Sequence, residues 1–450
     1  MTLLRPSAPA AASAARHAAL AILFGAGLAL GFFARSATAQ VPDSLRFRFE
    51  AGASGDLTNE RFYESFDDTS FRRTTVDSPE RRYAGVMLAG FDAARQGGTT
   101  WYQLINELSV GNRLTRDALG FLWRSDVTPE DRLLADPRFE YRRDRTLGRD
   151  LEEWRASAGL RWRRSFLESF RVLELGLRGE SMRSSGEGAE FVLDRDAGSF
   201  AAALEQAGLS GPEWRAGYRF TTRMFPDSTV RDHFEHGWEG RLRADPASIW
   251  AWQVETSGER RVTIDFAPTS RDNFWQERGE LEVERRGDGL WGFRGRLEGE
   301  ALQYDLQDST LYFNYQTLRL TAGPRLGGLD TWSVWIAPRV ELLRSAWSPG
   351  EEYVEPALAL ELETLFAHAW WSVTPAAGWR EYGDDPLAEQ QGLTSLRSSY
   401  GFVELAAFGD QPIGGGVRLR LLANARLEAH EDDSQDASSL YFSLDVRKIF

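Results

Sequence analysis

Residues 440–450 read LYFSLDVRKIF, and this stretch decides the fold. Written as an extended strand, it places Leu440, Phe442, Leu444, Val446 and Phe450 on one face. Tyr441, Ser443, Asp445 and Arg447 fall on the other, because successive strand side chains point to opposite faces. The sequence stops at Phe450, an aromatic residue. One apolar face and one polar face, ending flush at an aromatic, set a pattern that can be sought upstream.

Upstream segments repeat it. Segment 417–429 sets Val417, Leu419, Leu421, Ala423 and Leu427 against Arg418, Arg420, Asn424, Arg426 and Glu428. Segment 290–302 sets Trp291, Phe293, Leu297 and Ala301 against Arg294, Arg296, Glu298 and Glu300. Segment 154–163 opposes Trp154, Leu160 and Trp162 to Arg155, Arg161 and Arg163. Segment 214–224 opposes Trp214, Tyr218 and Phe220 to Arg215, Arg219 and Arg223. Such segments run to roughly ten to thirteen residues between turn signals. A soluble sandwich also alternates, but its strands average about five to six residues and its apolar faces meet in one core. Longer strands, with Trp291, Trp332, Trp371 and Trp379 recurring near their ends, favour a membrane barrel flanked by aromatic girdles.

The closing strand resembles that of bacterial outer-membrane β-barrel proteins of the porin-like kind, an architecture rather than one family. The resemblance implies an all-β chain: a transmembrane, antiparallel, up-and-down barrel in the cell outer membrane. It implies that Phe450, with Val446, Leu444 and Phe442, forms the signal read by the outer-membrane assembly machinery. Lys448 departs from the pattern, since an apolar or aromatic residue usually sits there; a lysine can snorkel to the interface. Porin-like barrels are often trimers, so the resemblance allows a homo-oligomer while leaving the oligomeric state open.

The N-terminus is consistent with export. Residues 1–39 carry Arg5 and Arg16, then an apolar stretch from about Ala18 to Phe33, then Ala37-Thr38-Ala39. This predicts a cleaved signal peptide over 1–39 and a single β-barrel domain over 40–450. An uncleaved anchor is the alternative, but the apolar run is shorter than the roughly 20 residues that a spanning helix needs. The first strand is expected at Leu45-Phe47-Phe49, leaving no room for an N-terminal plug domain.

Composition narrows the function. Of 450 residues none is cysteine, which excludes a lipoprotein anchor, thiolate metal sites and disulfides. Loss of Arg5, Arg16 and Arg35 would take the formal charge from −14 to −17, a poor match to nucleic acid, whose phosphates need a basic face. The mean hydropathy of −0.42 suits a barrel, in which only every second strand residue faces lipid.

Turn spacing predicts roughly 18 to 20 strands, with short inner and longer outer connections alternating. Short ones are expected near Gly327–Asp330, Gly287–Gly289 and Gly111–Asn112, and a long outer one across 125–150. Strands near 44–54 and 65–76 complete the count, and parity requires a further one near 187–196. Residues 199–207 (SFAAALEQA) read as a short helix. A three-residue loop at Gly287–Gly289 would set Glu282 opposite Arg294, Glu280 opposite Arg296 and Arg278 opposite Glu298.

Candidate chemistry is sparse. His233 and His236 stand three apart, hence on opposite strand faces, which argues against a shared metal ion. Asp194, Asp196 and Glu205 match three positions of a calcium loop, but Gly198 and Ser199 occupy positions that need a ligand and a glycine. No cofactor, metal or catalytic constellation is expected. The lumen is the functional candidate, lined by Arg155, Arg161, Arg215, Arg219, Arg294, Arg296, Glu298, Glu361, Glu363, Arg418 and Arg420. A basic sector in one half facing an acidic sector at Glu355, Glu361 and Glu363 would impose a transverse field on small polar solutes. The expected function is a passive channel; a structural, adhesion or export barrel is the alternative, and an outer-membrane hydrolase comes third.

Overall fold

The computed structural model describes residues 44–65, 73–94, 99–145, 150–166, 170–187, 189, 194–207, 211–244, 249–264, 273–285, 290–306, 314–328, 331–345, 349–366, 368–383, 398–431 and 435–450. The signal-peptide reading of 1–39 and the Gly287–Gly289 turn lie outside them.

Alternation becomes a ladder of long strands: β1 (Ser44–Ser65), β2 (Arg73–Ala94), β3 (Thr100–Gly111), β4 (Leu114–Asp126), β5 (Asp131–Ala135), β6 (Arg138–Asp144) and β7 (Leu151–Phe166). They continue as β8 (Arg171–Gly186), β9 (Arg195–Gln206), β10 (Glu213–Met224), β11 (His233–Arg243), β12 (Trp250–Thr263), β13 (Phe274–Arg285) and β14 (Trp291–Tyr304). The last are β15 (Tyr315–Gly328), β16 (Trp332–Arg344), β17 (Tyr353–Phe366), β18 (Ala369–Tyr382), β19 (Tyr400–Gly414), β20 (Val417–His430) and β21 (Ala437–Ile449). Strands β5 and β6 are halves of one strand. Both pair with β4 and β7, and Pro137, which has no N–H to donate, interrupts the ladder between them. Each remaining pair is antiparallel between neighbours in sequence, and β1 pairs with β21, closing a barrel of 20 strands.

Closure is made by the stretch that opened the sequence reading. Leu444 lies opposite Gly55 and Phe442 opposite Leu57 across the β1–β21 ladder. The Phe450 N–H donates to the Phe49 carbonyl at 3.0 Å, and the two rings lie 5.4 Å apart. Lys448 Nζ sits 4.7 Å from the Phe450 ring centroid, on the outward face.

The barrel is polar inside and apolar outside. Phe47, Trp291 and Leu427 face outward at 76%, 67% and 62% exposure, while the buried set includes Glu50, Glu235, Glu284, Glu341, Glu355 and Asp410. Such an arrangement is stable only with hydrocarbon around the outer band.

Four expectations change. Residues 199–206 belong to strand β9, not a helix, because β8 and β10 offer ladder partners along its whole length and override helix propensity. The span 125–150 contains β5 and β6 rather than one long connection. The short turn at Gly111–Asn112 lies at the barrel end opposite to the C-terminus. Asn112 docks there on β2, its N–H to the Tyr83 carbonyl and its side chain to Tyr83 N–H and Arg81 carbonyl. The strand total agrees with the expectation only by compensation: Ser65 ends β1 and residues 73–76 open β2 rather than belonging to a strand of their own, and 131–144 supplies the missing one.

The β13–β14 register is also shifted by two. Glu284 faces Arg294, Glu282 faces Arg296, Glu280 faces Glu298 and Arg278 faces Glu300. A two-residue shift keeps every side chain on its face. It again gives three oppositely charged pairs, now beside one Glu–Glu pair, so the number of favourable pairs could not discriminate between the registers.

Candidate functional site in the barrel lumen

A wall of 20 strands, spaced by about 4.8 Å and tilted by about 40°, encloses a cylinder roughly 40 Å across between backbones. Side chains alone cannot fill that width, so their arrangement on the inner wall decides what the lumen can do.

The expected opposition of a basic and an acidic sector does not form. Charges are neutralised locally, across neighbouring strands. Arg155 bonds Glu180 at 2.7 Å, Arg161 lies 3.8 Å from Asp136, and Arg215 contacts Glu239 and Glu205 at 2.9 and 3.3 Å. Arg294 bridges Glu282 and Glu361, both at 3.2 Å, and Arg296 bridges Glu280 and Glu282 at 3.2 and 2.9 Å. Arg418 and Arg420 share Asp410 at 2.5 and 3.2 Å. Glu298 lies 3.5 Å from Arg319, whereas Glu363 accepts, among the described residues, only from the Ser333 hydroxyl, at 3.4 Å. The Arg219 side chain has no ion pair or hydrogen bond among the described residues, although its backbone pairs with β9 and β11.

The densest cluster was not legible in the sequence. Glu355, 2% exposed, is held by Arg380 at 2.5 Å and Arg339 at 3.3 Å, with Arg426 at 4.0 Å. Arg339 and Arg426 also share Glu404 at 2.8 and 3.1 Å. Aromatic faces complete it: Arg380 stacks 3.9 Å from the Tyr353 centroid, and Arg426 4.4 Å from that of Phe402. These groups come from β16 to β20, and no short spacing links them.

The histidines divide by face. His233, 1% exposed, points inward, with Nε2 3.0 Å from Glu235 and Nδ1 2.7 Å from the Arg231 carbonyl. His236 points outward, with Nδ1 2.7 Å from the Tyr218 hydroxyl. His430 Nδ1 lies 2.9 Å from Ser398 Oγ, and His368 occupies a turn with φ 73°. The calcium-loop reading also comes apart. Asp196 pairs outward with Arg183 at 2.8 Å, whereas Glu205 points into the lumen at Arg163 and Arg215. Among the described residues no group of three or more His, Asp and Glu is placed to hold a metal ion. Above the band, Arg260 holds Asp305 below the usual carboxylate range through paired bonds of 2.7 and 2.6 Å.

Free space lies against β9 to β16. A cavity of about 790 Å³ is lined by Glu205, Arg215, Glu239, Arg241, Glu255, Ser257, Arg278, Glu280, Glu298, Glu300, Thr317, Arg319 and Glu341, with backbone from Gly240, Gly279 and Gly299. A second, of about 380 Å³, adjoins it through Arg215, Glu239, Ser257 and Arg278, and reaches Arg161 and Arg219. Glu255 accepts from Gln253 at 2.8 Å and has no cationic partner among the described residues.

No family model and no curated protein matches this sequence. Solved structures do match its fold. The FrpB iron transporter from Neisseria meningitidis (F5-1 variant, apoprotein form) aligns with a TM-score of 0.53 at 11% identity, over 91% of this chain and 81% of that one. The copper transporter OprC aligns at 0.52 and 11%, over 91% and 81%. The closed form of the ferric-catecholate import receptor Fiu from E. coli K12 aligns at 0.51 and 8%, over 89% and 81%. This chain is an outer-membrane β-barrel. It is embedded in the bilayer through its apolar outer band. At these identities the likeness is one of fold, and it says nothing of cargo.

Proposed function

We propose that the barrel is a passive, weakly selective channel for small polar solutes. The observation that carries this reading is the adjoining pair of polar cavities on the inner wall, about 790 and 380 Å³. The larger is lined mainly by Glu, Arg, Ser and Thr side chains that compensate the lost hydration of a polar solute, and the smaller adds Ala201 to Ala203, Tyr218 and Trp238 to its Glu and Arg. Local charge pairing supports weak rather than strong selectivity, because neighbouring fields cancel within a few ångströms. Arg219, Glu174, Glu255 and Glu259 are lining charges without an ion pair among the described residues, placed to meet a solute.

Reconstitution into a planar bilayer tests the reading. Stepwise, ohmic conductance is expected, and Glu255→Arg should shift the reversal potential in a salt gradient toward anions. A protein that inserts and folds but stays silent at all voltages would favour a structural or export role.

Export of residues 40–450 after cleavage at Ala39, recognition of Phe442, Leu444, Val446 and Phe450 by the assembly machinery, and association of copies belong to the same proposal. Deleting Phe450 removes the ring against Phe49 and the terminal aromatic together. Expression in a Gram-negative host should then give several-fold less heat-modifiable, folded barrel. Unchanged yield would remove Phe450 from the signal.

A further inference from the structure

Four consecutive strands carry a proline in their interior: Pro324 in β15, Pro338 in β16, Pro356 in β17 and Pro375 in β18. All four lie on the outward face, in register with Phe293, Leu358, Val340 and Leu405 respectively. Proline has no N–H to give to a ladder and is scarce in central strands. The ladders show where that loss falls. Between β15 and β16, pairing stops at Thr321–Arg339 and resumes at Arg325–Trp335. Between β17 and β18, pairing lapses at Glu355–Pro356 and again at Leu360–Glu361. The β16–β17 ladder itself is continuous, as are those of β12–β13 and β13–β14. The β16–β17 hairpin is thus intact within itself and poorly stitched along both edges.

Side chains in the lumen span those edges instead. Arg319 reaches Glu341 at 2.5 Å across β15–β16, and Arg380 reaches Glu355 at 2.5 Å across β17–β18. Arg294 crosses over the Trp335 ring, 4.6 Å from its centroid, to Glu361. Between these latches the inner wall carries an apolar patch: Trp335, Ala337, Ala359 and Ala376 form one buried cluster, and Trp335 Nε1 has no hydrogen-bond partner among the described residues. Apolar surface therefore lies on both sides of the wall at Ala337 in the first seam and at Ala359 and Ala376 between the two lapses of the second, where Glu355 and Glu361 flank it.

We propose that the β16–β17 hairpin is a movable panel, latched from inside by ion pairs, whose displacement joins lumen and bilayer for an amphiphile with an apolar tail. In a hydrocarbon setting unpaired backbone groups favour re-pairing, so the closed state dominates and opening is transient. A polar head group would meet the Arg and Glu latches while the tail passes the Trp335 cluster.

The test uses the full barrel in lipid vesicles containing a phospholipid with a photoreactive acyl chain. The natural chain has no cysteine, so introduced pairs are unambiguous. Labelling is expected at inward Trp335, Ala337 and Ala359 as well as at outward Leu318 and Val354, which the variants leave in place. Double variants Leu320→Cys with Val340→Cys, and Leu358→Cys with Ala377→Cys, place disulfides across the two seams at paired positions. Oxidising both should lower inward labelling by about ten-fold, leaving outward labelling unchanged. Amide exchange gives an independent reading: β16 and β17 should exchange about ten-fold faster than β12 and β13, and Pro338→Val should slow them. Labelling confined to outward residues, labelling indifferent to the disulfides, or protection equal to that of β12 and β13 overturns the panel. Conductance of the disulfide-locked barrel is expected to persist, so failure of the panel and failure of the channel are distinguishable.

Discussion

Replacing Glu355 with leucine is expected to destabilise the barrel by about 3–5 kcal/mol, the usual effect of breaking a buried charge pair from one side. Glu355 is 2% exposed and faces Arg380, Arg339 and Arg426. Without it these guanidiniums repel one another beneath the Tyr353 and Phe402 rings. Glu404 still holds Arg339 and Arg426, so Arg380 bears most of the loss. Glu363→Gln is the matched control. Among the described residues its carboxylate accepts only from Ser333, and the change should stay within about 0.5 kcal/mol. Urea titration of the folded barrel in lipid vesicles, read by tryptophan fluorescence, compares the two. Equal midpoints would mean that the Glu355 cluster contributes no stability.

The second large effect lies on the outer face. Leu297 and Leu281 oppose one another at mid-strand on β14 and β13 and point outward. Leu297→Arg puts a guanidinium into hydrocarbon, at a cost of about 2–4 kcal/mol near the bilayer midplane. Ser257→Arg, in the lumen cavity opposite Glu239 and Arg278 and beside Glu255 and Glu280, should lie within about 0.5 kcal/mol of the unmodified protein. Refolding yield into vesicles and the urea midpoint should both fall for the first variant and hold for the second. A similar penalty at the two positions would mean that neither face meets water.

Period-two alternation made the architecture legible because a barrel wall imposes one rule on every strand. Leu297 and Glu298, or Leu427 and Glu428, declare their faces without knowledge of any partner. Termini of strands were less legible. Asn112 makes a short turn at the long-loop end by binding β2 backbone, and Phe200 to Gln206 join a strand because β8 and β10 flank them. Both outcomes depend on neighbours distant in sequence. Register at β13–β14 escaped for another reason: charges that repeat every two residues satisfy two registers almost equally well.

The lumen was legible residue by residue but not as a network. That Arg294 and Glu361 both point inward follows from alternation, yet their 3.2 Å contact joins β14 to β17. Glu355 reads as one more alternating acid; its burial comes from arginines on β16, β18 and β20. The prolines at 324, 338, 356 and 375 look like scattered strand breakers in the sequence. Only the strand order shows that they bound one hairpin.

Spin-label accessibility along β14 tests the closed, inside-out cylinder most directly. Because the chain has no cysteine, single labels can be placed in turn from Phe293 to Ala301. Labels at Phe293, Leu297 and Ala301 should relax with lipid-soluble oxygen, and labels at Arg294, Arg296, Glu298 and Glu300 with a water-soluble nickel chelate, alternating with period two. Equal access of all sites to both reagents, or the opposite phase, would contradict a barrel with its charges inside and its apolar side chains in the bilayer.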